Sequence, residues 1–166
     1  MKKEKMNDKG FSLVELIIVI AIMAVLVVVL APQYLKYVER SRNSTDMQNA
    51  TAVVTACQVY AADPDVASTA AFKTGAFSIT VKPGGATVDD GTNKAAATAA
   101  LSAAAIDPNE VKCKSKSTWS SYKITGTVEA GGNIKFTYES YDNETATGTT
   151  NSKLADKMAG TAEASE

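Results

Sequence analysis

Few side chains in this sequence can do chemistry. Cys57 and Cys113 are the only thiols, and histidine is absent from all 166 residues. Without imidazole there is no Ser-His-Asp or Cys-His pair to activate a nucleophile, and no His-containing zinc site. Two thiols are too few for a four-thiolate metal site or an iron–sulfur cluster. One carboxylate does stand in an unusual place. Glu15 is the sole charge in residues 11–31, FSLVELIIVIAIMAVLVVVLA, a run with no Gly or Pro. A carboxylate in an apolar span costs a few kcal/mol or more in lipid, so it is kept for a partner or a role. These residues suit charge pairing rather than turnover: the chain is expected not to be an enzyme and to need no cofactor or metal.

The element that carries Glu15 is a helix. Its 21 residues would reach about 31 Å, enough to cross a hydrocarbon core. Lys2, Lys3, Lys5 and Lys9 outnumber Glu4 and Asp8 in the segment before it. A basic flank keeps that end in the cytoplasm, so residue 32 onward is expected outside the cytoplasmic membrane. A secretory signal peptide has a shorter apolar core, and its nearest cleavage site, Val29-Leu30-Ala31, would be followed by Pro32. A plain anchor fits the length but leaves Glu15 unexplained. Over the whole chain 17 Lys+Arg balance 18 Asp+Glu for a net charge of −1, and aromatics are 7 %. Nucleic acid is therefore not indicated as a partner, and any globular core is light.

Gly10-Phe11-Ser12-Leu13-Val14-Glu15-Leu16-Ile17, the apolar run and then Pro32 resemble the type IV prepilin signature. In that family a short basic leader ends in Gly, Phe follows it, and Glu stands fifth after the cut. The resemblance covers roughly residues 1–60. It implies that a prepilin peptidase cleaves between Gly10 and Phe11 and methylates the new Phe11 amine. It also implies that Pro32 kinks the helix. Glu15 of one subunit would neutralise the Phe11 amine of a neighbour, since an uncompensated charge in an apolar fibre core is expensive. The alternative is pairing with the Phe11 amine of the same chain, one turn away.

Beyond Pro32 no Gly or Pro occurs until Pro64, and apolar residues recur at Met47, Ala50, Val54, Cys57 and Ala61, with Val53 and Tyr60 beside them. That spacing predicts one face of an amphipathic helix. Lys36, Glu39, Arg40, Arg42 and Asp46 form a polar stretch before it. The expected organisation is a leader at 1–10, a long helix over 11–61 (11–31 in membrane or fibre core), a variable αβ loop over 62–118, a β-hairpin over 119–141 and a polar tail over 142–166. Within the loop, period-2 alternation predicts a strand at Ala76–Val81, broken by Pro83-Gly84-Gly85. Alanine-rich 93–105 predicts a short helix. Alternation over Trp119–Val128 and Ile134–Tyr141 around Gly131-Gly132 predicts a hairpin. The tail is expected to hold at most a short helix near Lys153–Met158 and to end in mobile residues. The fold class is α+β: the long helix laid on an antiparallel sheet of three or four strands, as in a pilin head, burying Val53, Val54 and Cys57 against Ile124, Phe136 and Tyr138.

Other signals are weaker. An oxidising exterior would permit a Cys57–Cys113 disulfide, enclosing about 56 residues, although many pilins place theirs nearer the C-terminus; the alternative is two separately buried thiols. Asp89-Asp90-Gly91-Thr92-Asn93 looks like a calcium loop but lacks the spacing and closing Glu of an EF-hand, so a solvated turn is favoured. Asn43-Ser44-Thr45, Asn49-Ala50-Thr51 and Asn143-Glu144-Thr145 fit a glycosylation acceptor pattern. Lys112, Lys114 and Lys116 form a small basic cluster, read as a solvated face.

These observations lead to a structural subunit of a type IV pilus, a homopolymer used for adhesion, aggregation or twitching motility. Its partners would be the prepilin peptidase, the pilus assembly platform and ATPase, and the membrane before assembly. It would be a single-pass cytoplasmic-membrane protein first and part of an extracellular surface fibre afterwards. The alternatives are a pseudopilin or minor pilin of a secretion or competence machine, and a membrane-anchored ligand-binding domain.

Overall fold

A computed structural model describes residues 11–63, 65, 71–89 and 91–163. The chain divides into two compact units between Val38 and Glu39. One helix, α1 (Leu13–Ala62), begins in the first and ends in the second. From Leu16 to Pro32 the helix is apolar all round. Such a segment closes its backbone hydrogen bonds internally, as lipid demands. Pro32 lies inside α1 and does not end it.

The described residues of the second unit contain one antiparallel sheet of five strands in the order β2-β1-β3-β4-β5. These are β1 (Gly75–Lys82), β2 (Gly85–Val88), β3 (Ser121–Val128), β4 (Ile134–Tyr141) and β5 (Thr150–Asn151). Helices α2 (Lys94–Ala103) and α3 (Lys153–Glu163) complete it. The alternation in β1, β3 and β4 has its physical outcome in the register. Ile79, Ile124 and Tyr138 stand side by side, as do Phe77, Gly126 and Phe136. This face meets Ala50, Val53, Val54 and Cys57 of α1 in the core, where Phe136 and Tyr138 are partly buried. Ser78, Lys123, Thr125, Thr137 and Glu139 alternate to the other face, as the two-residue period of a half-buried sheet requires.

Two details position the sheet. Gly132 takes φ +82° in the turn from β3 to β4, a left-handed conformation that costs glycine little. At Gly126 a Cβ would come within 2.4 Å of Phe77 Cζ and 3.1 Å of Phe136 Cε1. The missing side chain makes room for an aromatic row in which Phe77 meets Phe136 edge-on at 6.2 Å and Phe72 at 5.1 Å.

Several expectations are corrected. The sheet has five strands, not three or four: Pro83-Gly84 turns the chain rather than ending the strand, and Lys82 pairs with Gly85 to start β2. Strand β5 is only two residues long, too short to leave a period. Helix α3 runs past Met158 to Glu163, because Leu154 is fully buried and Met158 packs one turn further on. The expected mobile end, over residues 164–166, lies outside the described residues. On α1 the buried stripe also takes in Asn43 and Asp46, Met47 packs partly buried against the core, and Ala61 is exposed. The Cys57–Cys113 disulfide is absent: both cysteines are buried free thiols. Cys113 Sγ lies 3.5 Å from Asp46 Oδ2. Cys57 stands eleven residues further along α1, about 16 Å by helical rise, whereas a disulfide needs Cα atoms within about 7 Å.

Candidate functional site

The first site is the start of α1. Ser12 precedes the first helical residue. Its Oγ accepts a 3.4 Å hydrogen bond from the Val14 N–H, and Glu15 Oε2 accepts one of 2.9 Å from the Ser12 N–H. Ser-x-x-Glu before an apolar run is the capping-box pattern; here Glu15, the third helical residue, satisfies the Ser12 amide, while Ser12 Oγ reaches the amide of the second, Val14. The carboxylate also faces the positive end of the helix dipole. Glu15 in the precursor is therefore held locally, by the Ser12 amide. In the precursor the Phe11 nitrogen is still a peptide nitrogen and carries no charge for Glu15 to neutralise. Gly10 and the other leader residues lie outside the described residues.

Behind Glu15 the helix has no cover. The large apolar side chains from Phe11 to Leu30 are exposed, from 51 % at Ile17 to 92 % at Phe11. The helix is long and apolar enough to cross a membrane. Contiguous apolar surface of this extent marks a membrane or protein interface, and it suits membrane anchoring before any assembly.

The second site lies at the start of the second unit and was not legible as a site in the sequence. Glu39, Asn43 and Asp46 occupy one face of α1, at i, i+4 and i+7, and all three hold the loop between α2 and β3. Glu39 Oε1 accepts from Ser115 Oγ at 2.6 Å and from the amides of Lys116, Ser117 and Thr118 at 2.9, 2.9 and 3.1 Å. Asp46 is completely buried. Its Oδ1 accepts from the Lys114 amide at 2.7 Å, and its Oδ2 accepts from the Ser115 amide at 3.0 Å and Trp119 Nε1 at 2.9 Å. Asn43 Nδ2 donates to Thr118 Oγ1 at 2.8 Å. A buried carboxylate is tolerable only with such a donor set. Burial by itself would raise the Glu39 carboxyl; the Ser115 hydroxyl and the amides of Ser117, Lys116 and Thr118 outweigh it and hold its pKa at about 2. Arg42 adds a 3.5 Å ion pair to the other oxygen.

In the sequence Glu39 and Asp46 belong to a polar stretch. The signal that could have found them is their spacing: 39, 43, 46, 50, 53 and 57 run four and three apart, so the polar residues continue the buried stripe. Their partners are mostly backbone amides, which leave no trace in residue types.

The remaining candidates are placed as follows. Lys114 and Lys116 are exposed, because the alternate residues Cys113 and Ser115 turn in toward α1. Lys112 Nζ pairs with Glu110 at 3.7 Å. Burial pushes the Cys57 thiol up to about 12 and, aided by the Asp46 charge, the Cys113 thiol well above its ordinary range. In the calcium-like segment Asp90 lies outside the described residues. Asp89 Oδ2 accepts from Ser78 Oγ and Thr80 Oγ1 at 2.8 and 2.7 Å, and buried Asn93 bonds the backbone of Lys73 and Gly75. These side chains tie the sheet edge and the α2 start together.

No curated protein and no solved structure matches the chain. One family model does, over residues 5–31: the prokaryotic N-terminal methylation motif. That motif is the class III signal peptide of type IV pilins, and it implies processing by a prepilin peptidase and handling by assembly machinery. With the basic leader, the Gly10-Phe11 junction and the uncovered helix behind it, it indicates a type IV pilin-like or pseudopilin precursor and points to a structural subunit.

Proposed function

We propose that the mature chain is the repeating subunit of a type IV pilus, a homopolymer displayed on the cell surface for adhesion, aggregation or twitching motility. The observation that carries this reading is the methylation motif joined directly to a helix whose apolar side chains have no cover in the single chain. Burying them in lipid before assembly, and against the same helix of neighbouring subunits afterwards, removes that surface from water in both states. Cleavage between Gly10 and Phe11 creates an ammonium group beside Ser12. In a fibre, Glu15 would exchange the Ser12 amide for the Phe11 amine of a neighbour, and the pairing sets axial register more than it adds stability. Residues 32 onward would lie outside the cytoplasmic membrane, and the second unit would form the fibre surface.

The test is Glu15→Ala expressed without wild-type subunits, with surface fibres sheared off, gold-labelled by antibody to this protein and N-terminally sequenced. Labelling along whole wild-type fibres, chains beginning at Phe11, and a mutant that is retained in the membrane with fibre yield down at least tenfold are expected. Unlabelled wild-type fibres would move the protein to the pseudopilin or minor-pilin class. Normal fibre yield in the mutant would refute the pairing role.

A further inference from the structure

Three Asn-x-Thr/Ser acceptor patterns occur in the chain, and the fold treats them differently. Asn43 is 5 % exposed, inside α1, with its amide nitrogen bonded to Thr118. Asn49 is also inside α1 and half-buried, and its Nδ2 donates to the Lys112 carbonyl. A transferase must pull its acceptor into an extended loop within its own active site, which a residue in the middle of a packed helix does not permit. Asn143 differs. It lies on the connection between β4 and β5, with Asn143, Glu144 and Thr145 all exposed. The connection contains Ala146 at φ +56° and Gly148 at φ +93°, so it is a tight irregular turn, tied to β3 where Ser121 Oγ donates to the Asn143 carbonyl.

The two groups that define the acceptor pattern are presented together. Thr145 Oγ1 donates to Asn143 Oδ1 at 2.9 Å, which puts hydroxyl and carboxamide on one edge of the turn. Asn143 Nδ2 donates to the Thr147 carbonyl. A carboxamide nitrogen carries two hydrogens, and this bond uses one. Replacing the other by a sugar keeps the Thr147 contact and puts the glycan in solvent.

We propose that Asn143 is an N-glycosylation site, the donor being an oligosaccharide linked through pyrophosphate to a lipid. The Asn143 Nδ2 lone pair attacks the anomeric carbon of the first sugar. The N–C1 bond forms as the C1–O bond to pyrophosphate breaks, the lipid pyrophosphate leaves with the bonding electrons, and the Nδ2 proton passes to a base of the transferase. No oxidant or reductant is required. The inference rests on the reading that the second unit lies outside the cytoplasmic membrane, where such a donor is presented.

The experiment is intact-mass and glycopeptide mass spectrometry of the full chain purified from its own cells, alongside protease treatment of intact cells and of spheroplasts. The expected result is a mass above that of the polypeptide by whole sugar residues, on the peptide containing Asn143. The added mass should be lost completely in Asn143→Gln and in Thr145→Ala, and kept in Thr145→Ser and Asn49→Gln. Trp119 fluorescence unchanged in the variants shows that they fold. A second unit digested from outside, with Asn143 unmodified or the sugar on another residue, overturns the glycosylation proposal and leaves the membrane orientation standing. A second unit protected even in spheroplasts, cells stripped of any outer envelope, and digested only after lysis overturns both.

Discussion

Glu39 anchors the loop before β3, and its removal has a calculable signature. Its carboxyl is lowered from an ordinary 4.5 to about 2. At roughly 1.4 kcal/mol per pKa unit the difference corresponds to about 3 kcal/mol. The folded-state value is depressed, so the contribution is fully present above pH 4.5, is lost as pH falls toward 2, and is gone below that. The side chain retains 12 % exposure, so 3 kcal/mol is a ceiling. Glu39→Gln keeps an amide oxygen for the loop but loses the charge that makes such bonds about twice as strong, so its expected cost is about 2 kcal/mol at pH 7. The assay is urea unfolding of the detergent-solubilised full chain. The signal is fluorescence of Trp119, the only tryptophan, which is buried and sits at the end of this loop. Wild type and variant should differ by about 2 kcal/mol at pH 7 and converge between pH 4.5 and 2. Two curves that stay parallel over that range would refute the reasoning, because the loop amides would then not be stabilising the charge.

Two further results are expected. Gly126→Ala drives a methyl group into Phe77, whose ring is held between Phe72 and Phe136, and should lower stability by about 1–3 kcal/mol in the same assay; a loss under about 0.5 kcal/mol would mean that the aromatic row moves freely. Cys57 and Cys113, buried and with raised thiol pKa values, should resist alkylation at pH 8 in the folded chain and react together on unfolding; unreduced protein lacking two alkylatable thiols after denaturation would restore the disulfide.

What the sequence determines by itself is the N-terminal part, because that chemistry is local. A basic leader, the Gly10-Phe11 junction, Glu15 and an uninterrupted apolar run are contiguous, and a processing enzyme and a bilayer read them in order without waiting for the fold. The strand at Ala76–Val81 and the β3–β4 hairpin are legible for a related reason, since alternation and turn residues act over a few positions. Tertiary structure decides the rest. Glu39, Asn43 and Asp46 look like a solvated stretch until the loop over 113–119 is folded against them, for an amide donor belongs to every residue type but proline. Cys57 and Cys113 are a reasonable pair by compartment, yet eleven residues of helix separate Cys57 from the level at which Cys113 docks. Asn43, Asn49 and Asn143 are equal as patterns, and only burial distinguishes them. Local order writes the processing signal into the chain, whereas each of these later outcomes depends on which distant segment arrives to cover a side chain.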